Sequence, residues 1–439
     1  MNRLARATPW ALPWILAAPL ASADETANWA LVTGVERSDN ITRVTTDETS
    51  ETTALVGLVL GIDTVRPRLV ADISADLQYR EYLNHTYENE LLGGLDGTVT
   101  YQLVPERLAW VIEDNFAQIA VDGRLVDTPD NRQNVNYFTT GPDITLPLGA
   151  RTALQVLGRY SDVSYEETPE DNEVMEGSLA LVRQVSTATT VSLVGTREEI
   201  RYDRNALYAD KDLTRAFLRL VTESRRASFS VDLGYSVVDV AQQDSEDGPI
   251  ASLNITLPVA ARSRLTIEAG TELATTEDVL RRDQDATGVD IGIEDVLASA
   301  DVFQSDYAYL SWDTELPRGS FGVAVNAGRE THDVEVSRDR EIYGANIGIT
   351  RSLSPRVEAR IAGRYEMDRF LSNDQEVDEL TASIGLLWRV SREFSISLRY
   401  DHIRGTGNDD SNDYVENVAY VGFSVGRALA LGSKTSSVR

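Results

Sequence analysis

Apolar and polar residues alternate one by one along much of the chain. From Val357 to Asp368, apolar or small residues occupy every second position, and most residues between them are charged. The same alternation recurs in residues 69–80 and 394–401. A period of two places alternate side chains on opposite faces of a β-strand. The pattern therefore predicts an all-β protein whose strands each have one apolar and one polar face.

Short and long connections alternate between the predicted strands. The short ones fall at residues 64–67, 104–106, 147–149, 186–187, 224–225, 260–262, 317–319, 354–355 and 391–393. Short periplasmic turns and longer extracellular loops, joining strands of about ten residues, are typical of outer-membrane barrels. We therefore predict a single transmembrane antiparallel β-barrel of about 18–20 strands, an even number being usual in bacteria.

Aromatic residues cluster where the predicted strands meet the long loops. Amphipathic rings favour the membrane–water interface, so this placement predicts an outer aromatic girdle. The residues assigned to it are Tyr79, Tyr82, Tyr137, Phe138, Tyr160, Tyr165, Tyr202, Tyr235, Tyr365, Phe370, Tyr400 and Tyr414.

The first residues predict export. Arg3 and Arg6 precede the apolar run 10–20, and Ala21-Ser22-Ala23 fits a signal-peptidase site. The apolar run is too short for a transmembrane helix. We expect a signal peptide over residues 1–23, the barrel over 24–427 and a periplasmic tail over 428–439. Cleavage near Ala23 would leave the mature chain in the cell outer membrane.

The composition of the chain limits the kinds of molecule that it is expected to bind. The formal net charge is −29, from 70 acidic and 41 basic residues, and the chain has no cysteine. Such a chain repels nucleic acid and other polyanions unless its basic residues are grouped. Without disulfides, backbone hydrogen bonds must hold an exported chain together, and a closed barrel satisfies them without free edges. We expect outer-membrane lipid and lipopolysaccharide as partners, and no nucleic acid.

No residue pattern indicates an enzyme or a cofactor site. The histidines are His85, His332 and His402. Asp401 and His402 are adjacent in a predicted strand, so they point to opposite faces and form no catalytic dyad. Two acidic loops, residues 166–171 and 408–413, suggest divalent cations that bridge lipopolysaccharide, although neither has the spacing of a calcium loop. The alternative is that these loops are simply solvated.

We expect the side chains that carry the function to line the lumen of the barrel. The alternation predicts pore-lining side chains at Arg80, Arg159, Arg215, Arg219, Glu268, Glu272, Glu358, Arg360, Arg364, Glu366, Arg399 and Asp401. Rings of charge set the selectivity of a pore. A track of arginines could guide an acidic sugar chain, because guanidinium binds carboxylate in a bidentate manner. Alternatively, the two signs pair across neighbouring strands and fill a polar wall.

The segment Gly34-Val35-Glu36-Arg37-Ser38-Asp39-Asn40-Ile41 resembles a known motif. It is similar to the first-strand motif Gly-x-x-Tyr-Ser-Asp-Asn-hydrophobic of the type 2 outer-membrane β-barrel porin family, with Arg37 at the aromatic position. Members of that family accompany exopolysaccharide and PEP-CTERM gene clusters. The resemblance implies a barrel for polysaccharide export, with Asp39 and Asn40 as a structural turn.

From these observations we expect a conduit for exopolysaccharide, with a polysaccharide chain and periplasmic export components as partners. A general diffusion porin for small solutes and a plugged structural or adhesive surface barrel remain alternatives.

Overall fold

The computed structural model describes residues 25–203, 208–241, 245–276, 278, 302–332, 336–408 and 412–426. The expected signal peptide (1–23) and C-terminal tail (428–439) lie outside the described residues. So does most of the long connection that follows residue 276.

Twenty strands of 12 to 18 residues make up the described chain. The first ten are β1 (Glu25–Ser38), β2 (Glu51–Arg66), β3 (Leu69–Tyr82), β4 (Glu90–Val104), β5 (Leu108–Ala120), β6 (Arg132–Gly149), β7 (Thr152–Tyr165), β8 (Asn172–Gln184), β9 (Thr189–Tyr202) and β10 (Lys211–Glu223). The others are β11 (Ser228–Val240), β12 (Glu246–Ala260), β13 (Ser263–Ala274), β14 (Phe303–Leu316), β15 (Gly319–His332), β16 (Arg340–Ser354), β17 (Val357–Phe370), β18 (Gln375–Arg389), β19 (Phe394–Gly407) and β20 (Tyr414–Gly426). Single 3-10 turns cover Pro129–Asn131 and Val336–Arg338.

The strands form one closed antiparallel barrel. Each strand pairs with its neighbours in sequence, and β1 pairs with β20 to close the ring. Closure leaves no free sheet edge, which suits a backbone surrounded by lipid. The predicted fold class is confirmed, with 20 strands. Within the described ranges, no helix has both the length and the apolar composition to cross a bilayer.

The alternation in sequence becomes an outer and an inner surface. On β1, Trp29, Leu31 and Val35 are exposed, whereas Ala30 and Val32 between them are buried. Directly paired residues of neighbouring strands share a face, so the register assigns a face to every strand position around the ring. The outer surface is apolar, as expected for contact with lipid.

Aromatic side chains flank this apolar band. Exposed rings near the turns include Trp29, Tyr101, Trp110, Trp312 and Trp388, and those nearer the loops include Tyr79, Tyr235, Tyr343, Tyr365 and Tyr400. Tyr79 pairs with Leu91, ten residues before Tyr101 on β4. Ten residues span about 33 Å along a strand, or about 25 Å in height at a tilt near 40°, which matches the apolar band of known outer-membrane barrels.

The girdle prediction is wrong for six of its twelve residues. Tyr82, Tyr137, Tyr165, Tyr202, Phe370 and Tyr414 are buried at inward positions instead of facing lipid. They pack beneath the loops, as in the buried cluster of Ala117, Ile119, Val135, Tyr137, Val163 and Tyr165. Near the turns, by contrast, the inward side chains of Asp72, Ser74 and Asp96 are exposed. The lumen is therefore packed on the loop side and open on the turn side.

Short and long connections alternate as predicted. Two predicted turns are displaced. Residues 147–149 lie within β6, and the chain reverses at residues 150–151; residues 64–66 lie within β2, and the chain reverses at residues 67–68.

Candidate functional site

A cavity of about 440 Å³ lies inside the barrel. Its walls come mainly from β1, β3 and β17–β20. Two long loops also contribute, the β1–β2 loop (residues 39–50) and the β5–β6 loop (residues 121–131). Its charged lining residues are Glu36, Arg43, Arg80, Asp127, Arg132, Glu358, Arg360, Arg364, Glu379, Arg399, Asp401 and Glu416. Positive and negative groups are therefore equally numerous there, although the chain as a whole is strongly acidic.

The β5–β6 loop crosses the lumen to the opposite wall. Gln375, at the start of β18, donates a hydrogen bond from Nε2 to the Arg124 carbonyl at 3.1 Å. Val126 packs against an inward cluster of Ile403, Tyr414 and Val418 on β19 and β20. Strands β1 to β4 separate β20 from β5 around the ring. The loop therefore spans a chord of the barrel instead of extending away from it.

One side chain gives the crossing loop its shape. The Asn131 amide Nδ2 donates to the carbonyls of Asp122 and Val126 at 2.9 and 3.2 Å. The Asp122 backbone N–H donates to Asn131 Oδ1 at 3.0 Å. Both ends of the loop are thus tied to the same residue. We expect the loop to move as one body, because its internal hydrogen bonds would survive its displacement.

Arg43 joins the two loops to the wall. Its Nε lies 3.0 Å from Glu416 Oε2, and its Nη1 lies 3.2 Å from Glu379 Oε2 and 3.5 Å from Asp127 Oδ2. Burial alone would lower the pKa of Arg43, but the surrounding carboxylates, Glu379 foremost, raise it well above its ordinary value. Arg43 therefore stays charged and holds carboxylates from β18, β20 and the crossing loop. We call the four residues and Arg132 the latch.

The backbone at Arg43 indicates that its placement is enforced. Its φ angle is 50°, in the left-handed region that non-glycine residues seldom adopt. The fully buried Asn40 shapes this turn by donating from Nδ2 to the carbonyls of Val44 and Val415. Asp39 Oδ1 accepts a 2.7 Å hydrogen bond from the Asn417 N–H across the β1–β20 seam. The motif residues Asp39 and Asn40 thus position the loop that carries Arg43.

Asp127 is the carboxylate that the crossing loop contributes to the latch. It lies between Arg43 and Arg132, whose Nε is 3.8 Å from Asp127 Oδ1. Burial would raise the pKa of Asp127, but the positive charges of Arg132 and Arg43 outweigh this effect and hold the pKa below its ordinary value. The loop therefore carries a negative charge into a ring of arginines.

The structure brings seven of the twelve predicted pore-lining residues together. Arg80, Glu358, Arg360, Arg364, Arg399 and Asp401 line the cavity, and Glu366 pairs with Arg364. Most of them form ion pairs. Arg399 Nε lies 2.7 Å from Asp401 Oδ2, and both Arg80 and Arg399 reach Glu36, at 3.3 and 3.2 Å.

The other five occupy inward positions on the remaining wall. Arg219 lies 2.7 Å from Asp232, Arg159 lies 2.6 Å from Asp143, and Arg215 pairs with Glu198 and Asp278. Glu268 Oε1 accepts a 2.8 Å hydrogen bond from Asn254. Glu272 on β13 lies directly opposite Ser305 on β14 in the strand register. Their role in a conducting pore stays a prediction.

The histidines occupy separate environments. His402 Nδ1 lies 2.9 Å from Asn417 Oδ1, whereas Asp401 accepts hydrogen bonds from Ser383 and Arg399 on the other face. The ring of His332 is buried against Phe303. Among the described residues, no group of three or more His, Asp or Glu side chains could hold a metal ion. Residues 409–411 of one acidic loop lie outside the described residues.

The latch itself was not predicted from the sequence. Arg43, Asp127 and Arg132 lie in loops or at a strand end, where alternation gives no direction. Glu379 and Glu416 lie on strands of the right period, but their partners are distant in sequence. One usable signal was Asn40 in the first-strand motif, since a buried turn residue beside Arg43 marks an ordered loop.

The comparisons with known proteins support the barrel. Residues 323–427 match the family described as "Putative beta-barrel porin 2". The match covers β16 to β20 and hence most of the cavity wall, whereas the motif noted above begins in β1 and ends in the loop that follows it. The family resemblance is thus confirmed from a second part of the chain. No curated protein matched.

Several solved structures are similar in fold. The ferric enterobactin receptor of Pseudomonas aeruginosa is 9% identical with a TM-score of 0.47, covering 92% of this chain and 81% of that chain. The siderophore receptor PirA of the same organism is 10% identical with a TM-score of 0.44 and the same coverage. The FrpB iron transporter of Neisseria meningitidis is 8% identical with a TM-score of 0.49, covering 91% and 82%.

At TM-scores below 0.5, these likenesses carry no inference about this chain. Residues 323–427 match the "Putative beta-barrel porin 2" family, and the described chain is a closed antiparallel β-barrel whose apolar outer surface is typical of outer-membrane barrels.

Proposed function

We propose that this protein is a gated outer-membrane conduit for an exported polysaccharide. The observation that supports the proposal most is the β5–β6 loop, which lies across the lumen and is held to the far wall by Arg43. A loop held by ion pairs is a suitable gate, because its docked state can be released by changing a few charges.

The size and surface of the lumen favour passage of a hydrophilic chain. Barrels of about sixteen to eighteen strands already leave an aqueous channel, and this one has 20. The inward charges on the turn side are exposed, as at Arg219, whose side chain is 46% exposed. Many weak polar contacts let a chain enter and also leave. Export components would approach from the periplasmic turns, and lipopolysaccharide would surround the loop side.

A diffusion porin is the second candidate. The open, mixed-charge lumen near the turns favours it, since small solutes need only a wet path. The two candidates differ in what the closed loop permits. A porin passes small sugars with the loop docked, whereas a conduit is closed until the loop is released. No step in either proposal calls for catalysis.

Efflux from reconstituted liposomes tests the proposal. We expect labelled maltoheptaose to leave wild-type liposomes slowly, and a variant with residues 122–130 replaced by a short glycine linker to release it at least ten-fold faster. A matched control, Asp374→Asn, changes a carboxylate whose side chain is 77% exposed on another loop and should behave as wild type. Rapid efflux from the wild type would instead support the porin. Equal slow efflux from all three proteins would contradict a gate formed by this loop.

A further inference from the structure

Asp127 is the carboxylate that the latch holds most loosely. It lies 3.5 Å from Arg43 and 3.8 Å from Arg132, whereas Arg43 lies 3.0 Å from Glu416 and 3.2 Å from Glu379. The side chain of Asp127 is 30% exposed, and that of Glu416 is 3% exposed. Charge-assisted hydrogen bonds of this type usually lie at about 2.7–2.9 Å. Asp127 is thus held by attraction at longer range, and it borders the cavity.

Asp127 is also the latch carboxylate that lies on the crossing loop itself. Glu379 and Glu416 belong to the barrel wall, so their ion pairs with Arg43 persist wherever the crossing loop lies. The loop has two other acidic residues: Asp122 is engaged locally with Arg124 at 2.8 Å, and Asp130 borders a separate pocket beside His85 and Tyr87. Loss of the Asp127 contacts would therefore remove the charge attraction that Arg43 exerts on the loop and leave Arg43 in place.

The approach to Asp127 is lined with guanidinium groups. Arg80, Arg360, Arg364 and Arg399 border the same cavity as Arg43 and Arg132. Nearly all basic residues of the chain are arginines, since Lys211 and Lys434 are its only lysines. Guanidinium presents a planar pair of donors that fits a carboxylate, which an ammonium group does not. Six arginines around one cavity, balanced there by six carboxylates, give an acidic polymer repeated guanidinium contacts within a chain of net charge −29.

These observations point to the cargo as the trigger. We propose that a carboxylate of an acidic sugar chain, entering from the turn side, replaces Asp127 between Arg43 and Arg132 and so releases the crossing loop. The proposal rests on the gated conduit proposed above and names its substrate class, a uronate-bearing polysaccharide. The exchange is feasible because one carboxylate takes the place of another. Neither arginine is left as a buried, unpaired cation, which would be costly.

Channel recordings in planar bilayers test the exchange. The probe is oligogalacturonate on the turn side, with maltooligosaccharide of equal length and monomeric galacturonate as comparisons. We expect oligogalacturonate to raise the open probability of the wild type about ten-fold and maltooligosaccharide to leave it unchanged. Asp127→Asn should be open without any ligand and gain little from oligogalacturonate, and Asp374→Asn should respond as the wild type does.

The outcomes separate the two proposals. If Asp127→Asn is open but the wild type ignores oligogalacturonate, the gate stands and the carboxylate exchange is wrong. If Asp127→Asn stays closed as well, the latch does not control the loop, and the gated conduit falls with it. An equal response to maltooligosaccharide would show that charge is not what the site recognises. An equal response to the monomer at the same carboxylate concentration would overturn recognition of a chain.

Discussion

At the scale of single residues, the proposed gate depends on side chains that meet where charge is costly to leave unpaired. The side chain of Arg43 is 12% exposed and touches carboxylates from three separate elements, so removing any one of them leaves it partly compensated. The alternatives left open by the sequence were an arginine track and paired charges in a polar wall. The described residues favour pairing for Arg80, Arg219 and Arg399. The latch adds a third arrangement, in which paired charges hold a loop.

We predict that acid opens the channel because it protonates Asp127. Arg132 and Arg43 hold the pKa of the docked Asp127 below its ordinary value of 3.8, even though burial opposes them. A released loop would return Asp127 to that ordinary value. Its contribution to docking is therefore fully present above pH 3.8 and is lost as the pH falls through the lower, docked value. The groups that act on Asp127 are all guanidinium groups, which do not lose their proton in proteins.

Bilayer conductance between neutral pH and pH 3 measures this effect. We expect a flat profile at neutral and mildly acidic pH and a reversible rise below pH 3.8. Asp127→Asn should conduct at a high level that does not change further with acid. A rise that begins near pH 6, or one that persists unchanged in Asp127→Asn, would assign the response to other groups.

At the scale of elements, strands were predictable and loops were not. Alternation identified the strands of the cavity wall because a period of two is a local property of the chain. The prediction of the girdle failed because it used residue type alone. Tyr79 and Tyr82 are both tyrosines near a loop, but an odd number of positions separates them, so Tyr79 faces outward and Tyr82 faces inward. The crossing loop escaped prediction because Arg43 and Asp127 are 84 positions apart and no periodicity relates them.

The two faces of β17 offer a direct test of orientation. Ile361 is outward and 55% exposed, whereas Ala362, its neighbour, lines the cavity. Arginine on the lipid face near the midplane costs about 2–4 kcal/mol, so Ile361→Arg should markedly lower the temperature at which the barrel loses its folded mobility in gels. Ala362→Arg should leave that temperature within a few degrees and change the ion selectivity instead. The reverse ranking would mean that the faces are inverted.

At the scale of the whole molecule, closure and charge act together. The β1–β20 seam completes the ring, and Asp39 pins the seam beside the loop that carries Arg43. The chain as a whole is strongly acidic, whereas the cavity collects equal numbers of arginines and carboxylates. In the proposed gated conduit, the barrel supplies the wall and the crossing loop decides whether the lumen is continuous.

The most direct test is to fasten the crossing loop to the wall. The chain has no cysteine, so Val126→Cys and Val418→Cys can be joined by a short, reducible bis-thiol reagent, because Val126 packs against the buried cluster that contains Val418. A control pair, Thr381→Cys and Val418→Cys, joins two wall positions and leaves the loop free. Single-channel conductance is then recorded while the pH is lowered from 3.8 through the docked pKa of Asp127, the range over which the untethered channel should open. We predict that the loop-tethered protein stays at the closed level until reductant is added, while the control opens; a tethered protein that opens as widely as the control would contradict the gate.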